Sequence, residues 1–323
     1  MRAIQITESG GPEVLIPTEL PDPTPGPGEL LVEVAVAGVN YIDTYQRQGI
    51  YPMELPYVPG MEGAGRVREV GADVTEFAAG DRVAWCEPLG SYAELAVMPA
   101  AEVVPVPDGV SDEAAVGAAL QGMTTHYLLH DSHPVRAGED VLVHAAAGGV
   151  GLLLTQWATR LGARVIGTVS TAEKEELARA AGAAEVIRYT EVDDLAAEVR
   201  ELTGGAGVAA VYDGVGRTTF DASLASLRRR GILVLFGASS GPVPPVDPQR
   251  LNAAGSVFLT RPKLADHVAT RDELTTRAAA VYAAVAAGEL DVRIGHRYPL
   301  AEARAAHEDL QGRRTTGKLV LQP

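Results

Sequence analysis

A chain of 323 residues is longer than one ordinary hydrophobic core supports and is comfortable for two domains. Its net charge of −15 argues against a nucleic-acid or anionic-membrane partner, since both demand a basic face. The single cysteine, Cys86, excludes a disulfide framework and any multi-cysteine zinc lobe, and no apolar run is long enough to span a bilayer. The start Met1-Arg2-Ala3-Ile4 lacks an apolar signal core, so a soluble, cytoplasmic protein is expected.

Residues 1 to about 120 are punctuated by proline and glycine. Short alternating runs at 4–7, 30–37, 64–70, 82–85 and 92–97 predict strands. The loop Pro21-Asp22-Pro23-Thr24-Pro25-Gly26-Pro27-Gly28 can be neither helix nor central strand. An all-β module, a small irregular barrel, is expected here, followed by helices at 111–120 and 122–130.

The most informative stretch comes next: Val141-Leu142-Val143-His144-Ala145-Ala146-Ala147-Gly148-Gly149-Val150-Gly151. A β-branched run ends in a glycine cluster, and Val150, Leu153, Leu154, Trp157, Ala158 and Leu161 then recur at helical spacing. This is the strand–turn–helix entry of a dinucleotide-binding unit, although Ala146 stands where the usual first glycine falls. Ala147, Gly148, Gly149 and Val150 are the candidate pyrophosphate contacts, made through backbone N–H groups of the new helix. Gly151 lets that helix pack close to its strand. Strands at 164–169, 185–189, 208–213, 231–236 and 256–260 alternate with helices at 172–181, 191–202 and 218–227, which implies a parallel, doubly wound sheet. The plainer alternative is an α/β domain whose glycine turn merely closes tightly.

The end of the second strand bears on the cofactor. An NAD site carries an Asp or Glu about 20 residues after the glycines, bonded to the ribose 2′-hydroxyl. Here Ser170 and Thr171 stand at that position, with Lys174 one turn on and no acid between Gly162 and Ala172. Hydroxyls and a lysine suit a 2′-phosphate, which favours NADPH. Against this, Ser170 with Glu173 makes a capping box and Lys174 can be an ordinary solvated helix residue, but the missing acid still favours NADPH. Tyr189 could cover the adenosine phosphate or simply close a strand. Farther on, a helix at 272–287, a strand at 292–298, a helix at 301–311 and a last strand at 318–322 return to the first pattern. A lone terminal strand is expected to pair with the first module. The expected domains are therefore residues 1–122 with 263–323, and an inserted dinucleotide-binding domain at 123–262.

Several segments together resemble one family. They are Ala37-Gly38-Val39-Asn40-Tyr41-Ile42-Asp43-Thr44-Tyr45, Pro59-Gly60-Met61-Glu62-Gly63-Ala64-Gly65, Gly80-Asp81-Arg82-Val83, His144–Gly151, Val211-Tyr212-Asp213-Gly214-Val215-Gly216 and Thr260-Arg261-Pro262. Over essentially its whole length the chain is similar to the medium-chain dehydrogenases/reductases, and within them to the zinc-free, ζ-crystallin-like quinone oxidoreductases. The resemblance implies an α/β protein with a GroES-like β-barrel catalytic domain and a Rossmann domain, and a homodimer through the nucleotide domain. Zinc-dependent relatives have a cysteine where this chain has Asn40 and a histidine where it has Met61. Both replacements are poor zinc ligands, so no metal is expected.

By the same resemblance Asn40, Asp43, Tyr45 and Tyr51 line the cleft beside the nicotinamide. Tyr45 and Tyr51 are candidate donors to a substrate carbonyl, with an aromatic wall that stacks on a flat substrate as the alternative. Asp43 could act only through Asn40 and backbone amides, tying the loop. Gln121 and Thr124 open a helix on this reading, and Thr124 is either near the nicotinamide or a helix cap. Gly214, Phe236, Gly237 and Ser239 follow the fourth and fifth strands and are candidate contacts to the nicotinamide half. Arg313 aligns with a cofactor-contacting arginine, although Arg314 beside it leaves the choice open. His144, on a buried strand, reads as a satisfied core residue. The expected activity is metal-free hydride transfer from NADPH to a quinone or similar small flat carbonyl. An enoyl or 2-alkenal reductase is the rival within enzymes, and a cofactor-binding structural or RNA-binding protein the rival outside them.

Overall fold

The computed structural model describes residues 1–323, and the chain divides into two units, Met1–Met123 with Val268–Pro323, and Thr124–His267. In the first, β1 (Arg2–Gln5) pairs antiparallel with β2 (Ile16–Glu19). A larger sheet contains β3 (Glu29–Val39), β4 (Gly63–Val70), β5 (Arg82–Trp85), β6 (Leu95–Pro99) and β7 (Val104–Pro105), with helix α1 (Tyr41–Arg47) leaving the end of β3. Strand β3 organises this unit because it is paired along both edges. One edge carries β4, and the other carries β6 at its start. Val36, Ala37 and Val39 are buried, so the alternation that marks an ordinary half-exposed strand is lost there.

Helix α2 (Asp112–Tyr127) runs unbroken and continues into a π-wound turn, Leu128–Ser132. The two expected helices are therefore one. Gly122 marks no helix end; a Cβ there would lie 2.5 Å from Val281 Cγ1, so the glycine serves a close approach to a neighbouring helix.

The second unit alternates β8 (Asp140–Val143), α3 (Gly149–Arg160), β9 (Arg164–Val169), α4 (Ala172–Ala180), β10 (Glu185–Arg188), α5 (Leu195–Leu202), β11 (Val208–Asp213), α6 (Phe220–Ser226), β12 (Leu227–Leu235), α7 (Gln249–Ala253) and β13 (Phe258–Thr260). Its six strands are all parallel, in the order β10-β9-β8-β11-β12-β13. The strand order reverses between β8 and β11, the place where open α/β sheets bind ligands. Two helices are shorter than their patterns suggest. Asp194 caps α5 by accepting from the Ala196 and Ala197 N–H groups, and Leu227 opens β12 instead of closing α6.

The remaining elements return to the first unit: α8 (Arg271–Ala286), β14 (Ile294–Pro299), α9 (Ala303–Gln311) and β15 (Lys318–Gln322). As expected, the terminal strand pairs with the first module, Leu319 opposite Val39 of β3, and β14 lies parallel on its far side. Tyr298, Leu300, Ala303, Ala306, Leu319 and Leu321 thereby join the same apolar core as Ile4, Val32 and Trp85.

Candidate functional site

Three strand ends of the parallel sheet carry the cofactor candidates. After β8 the chain turns through Ala145, whose φ of 51° is a left-handed conformation costing an alanine roughly 1 kcal/mol. The Gly148 N–H closes this turn on the Ala145 carbonyl at 2.8 Å. Gly148 is the N-cap of α3; no side chain caps it, and the first turn holds no acid. The positive helix end at Gly149 and Val150 is thus left for an outside acceptor, which fits a pyrophosphate. A Cβ on Gly151 would sit 2.2 Å from the Ala145 carbonyl oxygen, so α3 lies this close to the turn only because residue 151 has none. Ala147 is buried in the turn.

At the end of β9, Thr171 and not Ser170 caps α4, its hydroxyl accepting from the Lys174 N–H at 3.3 Å. The expected capping box of Ser170 with Glu173 does not form, because the cap lies one residue later and Ser170 still belongs to the strand exit. The Tyr189 N–H donates to the Val169 carbonyl (3.1 Å) and the Thr190 hydroxyl to the Ser170 carbonyl (3.1 Å). These bonds bring the exposed Tyr189 ring's residue beside Ser170.

On the other side of β8, β11 ends at the wholly buried Asp213. Its Oδ1 accepts from the Val215 and Gly216 N–H groups at 2.8 and 2.9 Å, and its Oδ2 from the Thr219 and Ser223 hydroxyls at 2.7 and 2.8 Å. The Phe236 N–H donates to the Asp213 carbonyl and the Ser239 N–H to the Gly214 carbonyl, so Gly214, Phe236, Gly237 and Ser239 share one partly exposed edge. His144 is buried with a hydroxyl on each side, and burial holds its pKa below the usual range, consistent with a core histidine. Thr124 lies inside α2 and is buried, so it is no helix cap; Gln121 is likewise interior to the helix.

The catalytic candidates belong to the first unit and fall into two pairs. Asn40 and Asp43 are only 6% and 0% exposed. Asp43 Oδ2 accepts from the Asn40 N–H at 2.7 Å. The Asn40 carboxamide accepts from Lys318 Nζ at 2.8 Å and donates to Glu62 Oε2 at 2.9 Å, while Lys318 also forms an ion pair with Glu62. Glu62 Oε1 takes the Leu120 N–H at 2.7 Å. A second chain runs from Arg47 Nη1 to His307 Nδ1 (3.0 Å), from His307 Nε2 to the Tyr92 oxygen (3.0 Å), and from the Tyr92 hydroxyl to Asp43 Oδ2 (3.1 Å). Arginine has no acceptor, so His307 accepts at Nδ1 and donates at Nε2. Burial, helped by the Arg47 charge, pulls the His307 pKa down to about 3, and burial lifts the Asp43 carboxyl to about 7. By contrast, Tyr45 on α1 is half-buried and Tyr51, four residues beyond the helix end, is exposed; their rings stand edge to face with centroids 5.7 Å apart. They can offer a flat apolar surface edged by hydroxyls. Arg313 is exposed in the turn after α9, with φ 56°, and its neighbour Arg314 is bound to Asp309 at 2.6 Å.

Residues 26–108 match the alcohol dehydrogenase GroES-like domain family and residues 149–270 the zinc-binding dehydrogenase family. A quinone oxidoreductase of Pseudomonas aeruginosa is 45% identical, the match covering 100% of this chain and 99% of that protein. The chain belongs to the quinone oxidoreductase branch of the medium-chain dehydrogenases/reductases. A 2-haloacrylate reductase of Burkholderia is 43% identical over 99% of this chain and 98% of its own. A mycobacterial protein solved in complex with NADPH superposes with a TM-score of 0.97 at 56% identity, covering 100% of both chains. The fold is accordingly a GroES-like domain with a Rossmann-type six-stranded sheet.

Within this branch, the positions that hold zinc ligands in metal-dependent relatives are otherwise engaged here. Met61 Sδ accepts from Gln46 Nε2 at 3.0 Å, and both ends of the Asn40 carboxamide are bonded, one of them to an ammonium group. A carboxamide and a thioether beside a lysine do not fit a catalytic zinc. No group of three or more His, Cys, Asp or Glu side chains that could hold a metal ion occurs. Glu62, Lys318, Tyr92, His307 and Arg47 join Asn40 and Asp43 in this buried network, and none of them is among the residues expected at the site. One signal was available. Lys318 opens a strand that is otherwise apolar, Lys318-Leu319-Val320-Leu321, where a buried cation requires a buried acid.

Proposed function

We propose that the protein is an NADPH-dependent, metal-free reductase of quinones and similar small flat α,β-unsaturated carbonyls. The observation that carries the cofactor half is the pairing of an uncapped helix start at Gly148–Val150 with a strand exit at Ser170 and Thr171 that has no acid between Gly162 and Ala172 and is followed by Lys174. The 56% identity to a protein that binds NADPH and the 45% identity to a quinone oxidoreductase support it. The first turn of α3, with Ala147, takes the pyrophosphate. Ser170, Thr171 and Lys174 take the 2′-phosphate, and Tyr189 covers it. Thr124, Gly214, Phe236, Gly237, Ser239 and Arg313 serve the nicotinamide half.

When bound, the nicotinamide supplies the hydride. Tyr45 and Tyr51 form the wall on which a flat acceptor stacks, and their hydroxyls offer hydrogen bonds to the oxygen where negative charge develops. Asn40 and Asp43 hold the loop that carries these tyrosines. On this reading residues 1–122 with 263–323 form the catalytic domain and 123–262 the dinucleotide domain. A homodimer extends the parallel sheet at β13, a reading supported by that strand's place at the sheet edge and by its exposed Phe258. A second reading, reduction of 2-alkenals, is favoured by the 43% identity to a 2-haloacrylate reductase.

The test is NADPH oxidation by protein dialysed against chelator, with quinones and 2-alkenals compared at equal concentration. Activity with quinones that survives the chelator is expected. Faster turnover of alkenals would favour the second reading, and activity that needs added zinc would refute the metal-free one. No NADPH turnover together with a salt-dependent RNA gel shift would refute both.

A further inference from the structure

We infer that Ser223, acting with His144 and Asp213, is a positioning residue that holds the two halves of the dinucleotide site in register. The inference rests on the NADPH reading above and deepens it. The three stretches that meet the cofactor on that reading begin at three strand ends. Ser170 lies two residues beyond Thr168 of β9, the pyrophosphate turn starts at Ala145 immediately after His144, and the nicotinamide loop starts at Gly214 immediately after Asp213. A single line of side-chain hydrogen bonds joins these ends. Thr168 Oγ1 is 2.9 Å from His144 Nδ1, His144 Nε2 is 2.9 Å from Ser223 Oγ, and Ser223 Oγ is 2.8 Å from Asp213 Oδ2. Asp213 then passes the connection to the backbone of its own loop through the Val215 and Gly216 N–H groups.

The direction of every bond follows from the inventory of donors. Asp213 is an acceptor, so the one hydroxyl proton of Ser223 goes to it. Ser223 must then accept from His144 Nε2–H, which leaves Nδ1 to accept from the Thr168 hydroxyl. One neutral tautomer satisfies the whole line, and the burial that depresses the His144 pKa favours that neutral ring. Thr168, His144, Ser223 and Asp213 are all at most 2% exposed. Ser, His and Asp are also the residue types of a hydrolase triad, but here the hydroxyl donates to the carboxylate and is wholly buried, so Ser223 is no nucleophile. The ladder bonds of β9, β8 and β11 fix the strands; the side-chain line crosses all three and anchors α6 to their ends. A ligand that reaches both the Ser170 side and the Gly214 side must match this spacing. A ligand that occupies one side need not.

The test compares wild type, Ser223→Ala and Ser226→Ala by titration calorimetry with NADPH and with adenosine 2′,5′-bisphosphate, which lacks the nicotinamide half. Ser226 is an equally buried hydroxyl on the same helix whose bond goes to the Ala222 carbonyl, outside the line. Ser223→Ala is expected to raise the Kd for NADPH about tenfold, the size of one lost buried hydrogen bond, and that for the bisphosphate less than about twofold. Ser226→Ala is expected to change neither. Equal loss for both ligands, or unchanged NADPH affinity, would overturn the inference alone; a wild type that binds neither ligand would overturn the cofactor reading and the inference with it. Should Ser223→Ala fail to fold, nitrogen NMR of the wild-type histidines decides: His144 protonated at Nε2 supports the line, and protonated at Nδ1 overturns it.

Discussion

Lys318 and Glu62 form an ion pair whose side chains are 1% and 0% exposed. Removing one partner of such a pair leaves an uncompensated buried charge, which costs about 3–5 kcal/mol, whereas replacing both is often nearly neutral. Lys318→Met should therefore lower the stability measured by urea denaturation by that amount. Lys318→Met with Glu62→Gln should recover most of it. At the exit of β9 the relevant residue is Lys174. A charge-assisted bond to a 2′-phosphate is worth about 1.5–3 kcal/mol. Lys174→Ala should weaken NADPH binding by roughly ten- to a hundredfold and leave NADH nearly untouched; equal loss of the two cofactors in calorimetry would refute the 2′-phosphate role.

At the scale of elements, α1 is tied down through its buried residues, and the half-buried Tyr45 on it and the exposed Tyr51 just beyond its end are the rings proposed to meet the substrate. If the two rings act as a wall, Tyr45→Phe and Tyr51→Phe keep most of the quinone turnover and the alanine variants lose it. If a hydroxyl is the donor, phenylalanine costs as much as alanine, and steady-state kinetics with one quinone separates the cases. The tied face gives a pH signature. Burial raises the Asp43 carboxyl from 3.8 to about 7, so the folded protein keeps a proton that the unfolded chain releases, and this group's contribution to stability falls as pH rises through that window. His307 works in the opposite sense. Its folded pKa of about 3 lies below the ordinary 6.5, so the unfolded chain takes up the proton first and stability rises as pH climbs from about 3 to 6.5. The two slopes oppose each other where they overlap. Asp43→Asn removes one of them, and its melting temperature should climb between about pH 4 and pH 6.5 more steeply than that of the wild type. Parallel curves would show that Asp43 does not hold its proton.

At the scale of the molecule, the open edge of β13 is where a second copy is expected. The strand is three residues long, and it ends the sheet with Phe258 59% exposed. An apolar ring on an unpaired edge favours association, and a charge placed there opposes it. Phe258→Lys should shift the protein from dimer to monomer in light scattering, and a wild type that is already monomeric would refute the homodimer.

Much of the fold was legible because its signals are local. Arg82–Trp85, Arg164–Val169, Val208–Asp213 and Lys318–Gln322 have the bounds their hydrophobic runs predict, and the glycine turn after β8 announces a strand–turn–helix entry within eleven residues. Where local signals competed, the sequence misled. Gly122 looked like a break and is a packing contact, and Ser170 looked like a cap where Thr171 is one. The terminal strand's partner was foreseeable, since a lone strand must pair with something. Its lysine's partner was not. Lys318 meets Glu62 across 256 positions and His307 meets Tyr92 across 215, and the line from Thr168 to Asp213 needs three strands side by side before its hydroxyls come within reach. The sequence by itself determined most of the strands and helices, and that one glycine-rich turn has the form of a phosphate-binding one, because periodicity and turn chemistry act over a few residues. Only the tertiary structure decided which buried acid faces which buried base, because that depends on contacts no local pattern encodes.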